Sequence, residues 1–193
     1  MSALIAVKNR DGVREIATES ALYLNRVIWL SGDINNKSAI EIIQALMTLD
    51  KEKQEEITIY ISSPGGSVND GLAIYDVMRM IKSPIRTVAV GMVASMASII
   101  LSSGTKGRRE VMPSAKVMIH DPRIIGGREV MSASQIVELG VDMQKTKQFL
   151  NAIIAENTGR KLDDVNRDTL IDNYMSAEEA LEYGLADKIC ERL

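Results

Sequence analysis

The chain reads as one α/β domain built on a mainly parallel sheet, and three observations carry that expectation. Short β-branched runs at Ile57–Ile61 and Ile85–Val93 alternate with stretches whose apolar residues recur at helical spacing. Turn residues punctuate the junctions, with Pro64-Gly65-Gly66 after the first run and Ser83-Pro84 before the second. No linker or internal repeat divides the 193 residues, a length that one core can serve.

Taken in order, residues 1–20 mix charges with Gly12 and lack periodicity, so a mobile N-terminal arm or a loosely attached hairpin is expected. Ala21–Leu24 suggests a short helix, and Arg26–Leu30 a strand ended by Ser31-Gly32. Asn36 is suited to cap a helix whose stripe is Ala39, Ile42, Ile43, Leu46 and Leu49. After the strand at Ile57 and its glycine turn, Ser67 caps a helix carrying Leu72, Ile74, Tyr75, Val77, Met78 and Ile81, which Pro84 forbids from continuing. The strand from Ile85 then leads to Ser95, which opens a helix through Leu101 that Gly104 closes. Right-handed crossovers place the two strand-to-helix junctions at the same sheet edge, where open α/β sheets hold their sites.

Arg109–Met112 and Lys116–His120 read as strands separated by Pro113-Ser114, which puts His120 at a strand terminus. Gly126-Gly127 allows a bend before a long helix from about Ser132 to Asn157, whose stripe is Ile136, Leu139, Met143, Leu150, Ile153 and Ile154. That helix is longer than its own sheet needs, which suggests an arm buried against another subunit. Leu162–Thr169 reads as a short helix, Asp172–Met175 as a connection, and Ser176–Glu179 as a capping box opening a helix that ends at Gly184.

Composition narrows the function. A net charge of −3 and a pI near 5.3 give no electrostatic reason to expect nucleic acid or an anionic membrane as partner. Only 4% of residues are aromatic, too few for base-stacking platforms. The single Cys190 excludes an internal disulfide and a Cys-rich zinc site, and with one histidine no metal site is expected. No apolar run approaches the roughly 18 residues of a membrane span, and the N-terminus lacks an apolar signal core. A cytoplasmic protein is the expectation.

Ser95, read alone, is most simply a helix cap; the Gly-x-Ser-x-Gly elbow is absent, because Val93 and Ala97 flank it. His120 alone is most simply a hydrogen-bonded structural residue. Together the residues say more. Acyl transfer needs a hydroxyl, a base titrating near neutrality, an orienting carboxylate and amide donors for an oxyanion, and Ser95, His120, Asp172 and the Gly65-Gly66 turn supply all four. Asp168 is a rival for the acid, and Lys106 or Lys116 for the base of a Ser-Lys dyad.

Tyr60-Ile-Ser-Ser-Pro-Gly-Gly-Ser, Ala73-Ile-Tyr-Asp, Ala94-Ser95-Met-Ala, Val117-Met-Ile-His120 and Ser176-Ala-Glu-Glu-Ala-Leu-Glu-Tyr-Gly-Leu resemble, in order, the ClpP family of proteolytic subunits. The resemblance implies a crotonase-like α/β fold with a protruding handle helix, here at about 121–157, and seven-membered rings usually stacked in pairs around a chamber. It implies a serine endopeptidase that hydrolyses unfolded polypeptides delivered by a separate AAA+ ATPase. By position Ser95 matches the nucleophile, His120 the general base, Asp172 the orienting acid, and the Gly66 and Met96 amides the oxyanion hole. No cofactor is implied for this chain, which lacks the Gly-x-x-x-x-Gly-Lys-Ser/Thr phosphate loop, so ATP is expected to be used by the partner. The chain departs from the family pattern at Ala97 and Asp121, at Ile171 where Arg is usual, and at Met80 and Glu110 where aromatic residues are common. A structural subunit of a mixed ring and an acyl-CoA enzyme of the same architecture are the competing readings.

Overall fold

The computed structural model describes residues 4–9, 12–124 and 131–191. Strands β1 (Leu4–Asn9) and β2 (Gly12–Ala17) pair antiparallel as a separate hairpin, so of the two forms expected here, mobile arm or hairpin, these residues take the second. Helix α1 (Thr18–Leu24) leads into β3 (Val27–Ser31). Helix α2 (Asn36–Glu52) is capped one residue earlier than its sequence suggests: the Asn35 side chain accepts hydrogen bonds from the Lys37 and Ser38 amides. Then come β4 (Ile57–Ser63), α3 (Val68–Met80) with Ser67 as its cap, β5 (Ile85–Ala94) and α4 (Met96–Ser102).

The main sheet runs β3-β4-β5-β6-β9, all parallel, with β6 at Arg109–Val111 and β9 at Lys188–Ile189. The two-residue β9 has no counterpart in the sequence reading, because so short a strand leaves no periodic signal. Besides β4, strand β5 serves two neighbours. Thr87–Ala89 pair with β6, while Met92–Ala94 pair with β7 (Lys116–Ile119). A register shift against β4 between Ile61 and Ser63 lies beside Gly91, whose φ of 64° lets the strand change direction there. Ile57, Ile59, Ile61, Ala89 and Val93 are fully buried, and with Leu46, Ile74 and Ile100 from the covering helices they form the centre of the core.

Helix α5 (Ala133–Thr158) starts on a capping box between Ser132 and Gln135 and ends at Gly159 in the left-handed conformation. Its 26 residues span about 39 Å at the α-helical rise. Only its second half is packed: Leu150, Ile153 and Ile154 are buried, whereas Ile136, Val137 and Val141 are at least half exposed. The bend expected at Gly126-Gly127 lies outside the described residues. After α6 (Leu162–Asp168), Asn173–Met175 form strand β8, antiparallel to β7, where the sequence suggested only a connection. Helix α7 (Ala177–Tyr183) has the expected Ser176–Glu179 capping box.

Glu110, on β6, is almost wholly buried on the sheet face and is held by charge. Arg86 of β5 donates to both its oxygens at 2.7 Å, and Lys188 of β9 approaches at 3.0 Å. These bonds, Arg86 first, lower its carboxyl from the ordinary 4.5 to about 2. A depressed carboxyl contributes stability that is whole above its unfolded value and is lost as pH falls through its folded one. The denaturation midpoint is therefore expected to decline between about pH 4.5 and pH 2, with a shallower decline in Glu110→Gln. Identical pH slopes in the two proteins would contradict the assignment.

Candidate active site

The site forms where β4, β5 and β7 end together. Ser95 follows β5 directly and takes φ 56° and ψ −125°, a conformation rare for a residue with a side chain. Its amide bonds to the Met118 carbonyl at 2.9 Å, continuing the β5–β7 ladder, while Ser98 grips its carbonyl through both amide (3.0 Å) and hydroxyl (2.6 Å). Chain direction thus reverses sharply into α4. The Ser95 side chain makes no capping hydrogen bond, so its hydroxyl is not spent on the helix.

The antiparallel register of β7 and β8 explains how His120 and Asp172 meet. Val117 faces Met175, Met118 faces Tyr174 and Ile119 faces Asn173; one step further, just beyond the ladder, His120 faces Asp172. His120 Nδ1 lies 2.9 Å from Asp172 Oδ1, and Nε2 lies 2.9 Å from Ser95 Oγ. The hydrogen bond from His120, against a smaller effect of burial and with help from Arg123, holds the Asp172 carboxyl below the usual carboxylate range. An ionised carboxylate only accepts, so Nδ1 carries the ring hydrogen and Nε2 is left to accept the Ser95 proton. Asp168, the rival acid, instead accepts from the Tyr183 hydroxyl at 3.1 Å. Neither Lys106 nor Lys116 hydrogen-bonds to Ser95; its hydroxyl partner is the imidazole.

The glycine turn after β4 packs against the serine. The Gly65 carbonyl accepts from the Ile34 amide (2.8 Å) and the Ser67 amide donates to the Ile34 carbonyl (2.8 Å), a parallel bridge that bypasses the Gly66 amide. Gly66 has φ 149° and Gly65 φ 95°. A Cβ on Gly65 would sit 2.7 Å from the Ala94 carbonyl oxygen and 2.8 Å from the Ser95 Cβ; one on Gly66 would sit 2.2 Å from the Ile34 carbonyl oxygen. Only glycine permits this approach. Met96 opens α4, so its amide has no intrahelical acceptor, and neither it nor the Gly66 amide donates to any acceptor among the described residues. A narrow cleft beside Ser95 and His120 is walled by Val68, Met96, Ile99, Pro122, Leu150 and Ile154, with Asn151 as a further polar wall. Among the described residues no three His, Cys, Asp or Glu side chains cluster so as to hold a metal ion.

One partner of this site escaped the sequence reading. Arg123, three residues past His120, places Nη2 on Asp172 Oδ1 and Nη1 at 3.4 Å from Oδ2. Nothing in the local sequence marks it, since the contact depends on the β7–β8 pairing that the sequence also hid.

A sheet that sets a hydroxyl, an imidazole and a carboxylate in line beside free backbone amides defines a serine hydrolase. The chain belongs to the Clp protease family of serine peptidases: the family described as "Clp protease" matches residues 10–193. It is also similar to the protein named "ATP-dependent Clp protease proteolytic subunit" of Ligilactobacillus salivarius (strain UCC118), with 39% identity over 183 residues, covering 94% of this chain and 91% of that relative. Gly66→Ala keeps the amide, but its Cβ would sit 2.2 Å from the Ile34 carbonyl oxygen, so the turn must move and carry the amide with it; hydrolysis of a fluorogenic peptide is expected to fall by roughly 10²-fold, the scale of displacing one backbone donor from a reacting oxygen. A rate close to that of the unaltered protein would remove the Gly66 amide from the chemistry.

Proposed function

We propose that Ser95, His120 and Asp172 are the catalytic set of this peptidase, with the Gly66 and Met96 amides as its oxyanion hole. The observation that carries the reading is the unbroken line from Asp172 Oδ1 through the imidazole to Ser95 Oγ, with both hydrogen bonds at 2.9 Å. Ser95 attacks the scissile carbonyl while His120 Nε2 takes its proton; the tetrahedral oxyanion receives the two amides; His120 returns the proton to the leaving amine. Water then attacks the acyl-enzyme by the same route reversed. Asp172 stays a carboxylate throughout, orienting the ring and balancing the imidazolium. No metal or other cofactor is needed at any step.

In the wider reading the chain is a proteolytic subunit working in a ring-shaped chamber in the cytoplasm, supplied with unfolded polypeptide by a Clp-type ATPase that consumes the ATP. The relative's name supports that partnership. The exposed apolar residues of the projecting half of α5 support self-association, since Ile136, Val137 and Val141 are at least half exposed within the subunit. No helix among the described residues is long and apolar enough to cross a membrane.

Ser95→Ala and His120→Ala are each expected to lower kcat by several orders of magnitude, with circular dichroism unchanged. Near-normal hydrolysis by either variant would sink the mechanism. Ile171, 73% exposed next to Asp172, cannot form the ion pair that arginine offers there, so pairing of rings is expected to be weak. Sedimentation across a dilution series should show double rings separating, with activity per subunit falling in step; a double ring that persists at nanomolar concentration with constant activity would contradict this.

A further inference from the structure

Asp172 reaches His120 from an exposed position, 35% open to solvent, and no described backbone amide holds its carboxylate. Its hydrogen bonds come from two side chains, His120 and Arg123. The imidazole is the group whose orientation the carboxylate must fix, so it cannot also be what fixes the carboxylate. That leaves Arg123. Its planar fork meets both oxygens, Nη2 on Oδ1 and Nη1 more distantly on Oδ2, and so fixes the plane of the carboxylate more closely than a single donor would.

The guanidinium is carried on an anchored segment. The Asp121 amide donates to the Thr169 carbonyl at the end of α6 (2.8 Å), and the Asp121 carboxylate receives Lys147 of α5 at 2.7 Å. Pro122 stiffens the link between these anchors and Arg123. Resting on the catalytic reading of Ser95, His120 and Asp172, we propose that Arg123 is a positioning residue for the reaction, setting the carboxylate plane of Asp172 and through it the His120 ring. With its side chain 52% exposed, the pair adds little to folding stability. What Arg123 supplies is orientation, and its loss is felt in the chemical step.

The test compares Arg123→Ala, Arg123→Lys and Asp172→Ala with the unaltered protein, measuring kcat and KM on a fluorogenic peptide and native mass on the same samples. In Arg123→Ala, kcat is expected to fall by roughly 10–100-fold with KM changed by no more than about twofold, the mark of a misplaced catalytic group rather than lost binding. Lysine, which can reach but cannot fork, should restore part of the loss at unchanged native mass. Full kcat in Arg123→Ala alongside an impaired Asp172→Ala overturns the proposal while leaving the catalytic set intact. A loss that lysine does not relieve, or that accompanies a changed native mass, overturns it in favour of a structural role. Full activity in Asp172→Ala would sink the catalytic reading itself, and this proposal with it.

Discussion

The close approach of two backbones at the ends of β4 and β5 is the constraint on which the site depends. Gly65 lies so near Ala94 and Ser95 that a single Cβ would overlap a carbonyl oxygen at 2.7 Å, and Gly66 lies tighter still on Ile34, at 2.2 Å. This contact spans three elements: the loop before α2, the turn before α3 and the elbow before α4. It also stabilises an unfavourable geometry. Ser95 at positive φ costs about 1–3 kcal/mol in isolation, and persists because the Met118 carbonyl, the Ser98 hydroxyl and the glycine turn over-determine its position. The fully buried isoleucines of β4 beneath the turn make the platform rigid.

A second set of contacts links the site to the long helix. Asn151, buried on α5, donates to Asn166 and to the Thr169 hydroxyl on α6; the Thr169 carbonyl receives the Asp121 amide; and Asp121 adjoins His120. The helix that projects furthest from the body is thus joined by hydrogen bonds to the residue beside the imidazole. A displacement of α5 would act on the His120 segment and, on the proposal made above, on the carboxylate that Arg123 holds. The exposed half of α5, proposed as the surface for self-association, and the geometry at Ser95 share this one framework.

Much of this was legible in the sequence because it is local. The strand–turn–helix units at Ile57–Met80 and Ile85–Ser102 announce themselves through β-branched runs, glycine turns and caps, and parallel connection rules then bring both junctions to one edge. Ser95, His120, Asp172 and the glycine turn could be nominated from residue chemistry and from family resemblance. What stayed hidden is non-local. Strand β8 is three residues long and carries no period, yet its register against β7 is what sets Asp172 opposite His120. Arg123 is invisible for the same reason. Glu110, an odd residue for a β-branched core strand, finds its explanation only when parallel pairing brings Arg86 and Lys188 alongside. The caps erred by one residue at Asn35, where two adjacent asparagines compete for the same role.

The central claim, that Ser95 carries the activated hydroxyl, is tested most directly by mapping a fluorophosphonate adduct. The protein would be labelled with the probe, digested and sequenced by mass spectrometry. A single adduct on Ser95, absent when His120 is replaced by alanine, is the result this account predicts. Modification of a different serine, or Ser95 labelled equally fast without the imidazole, would contradict it.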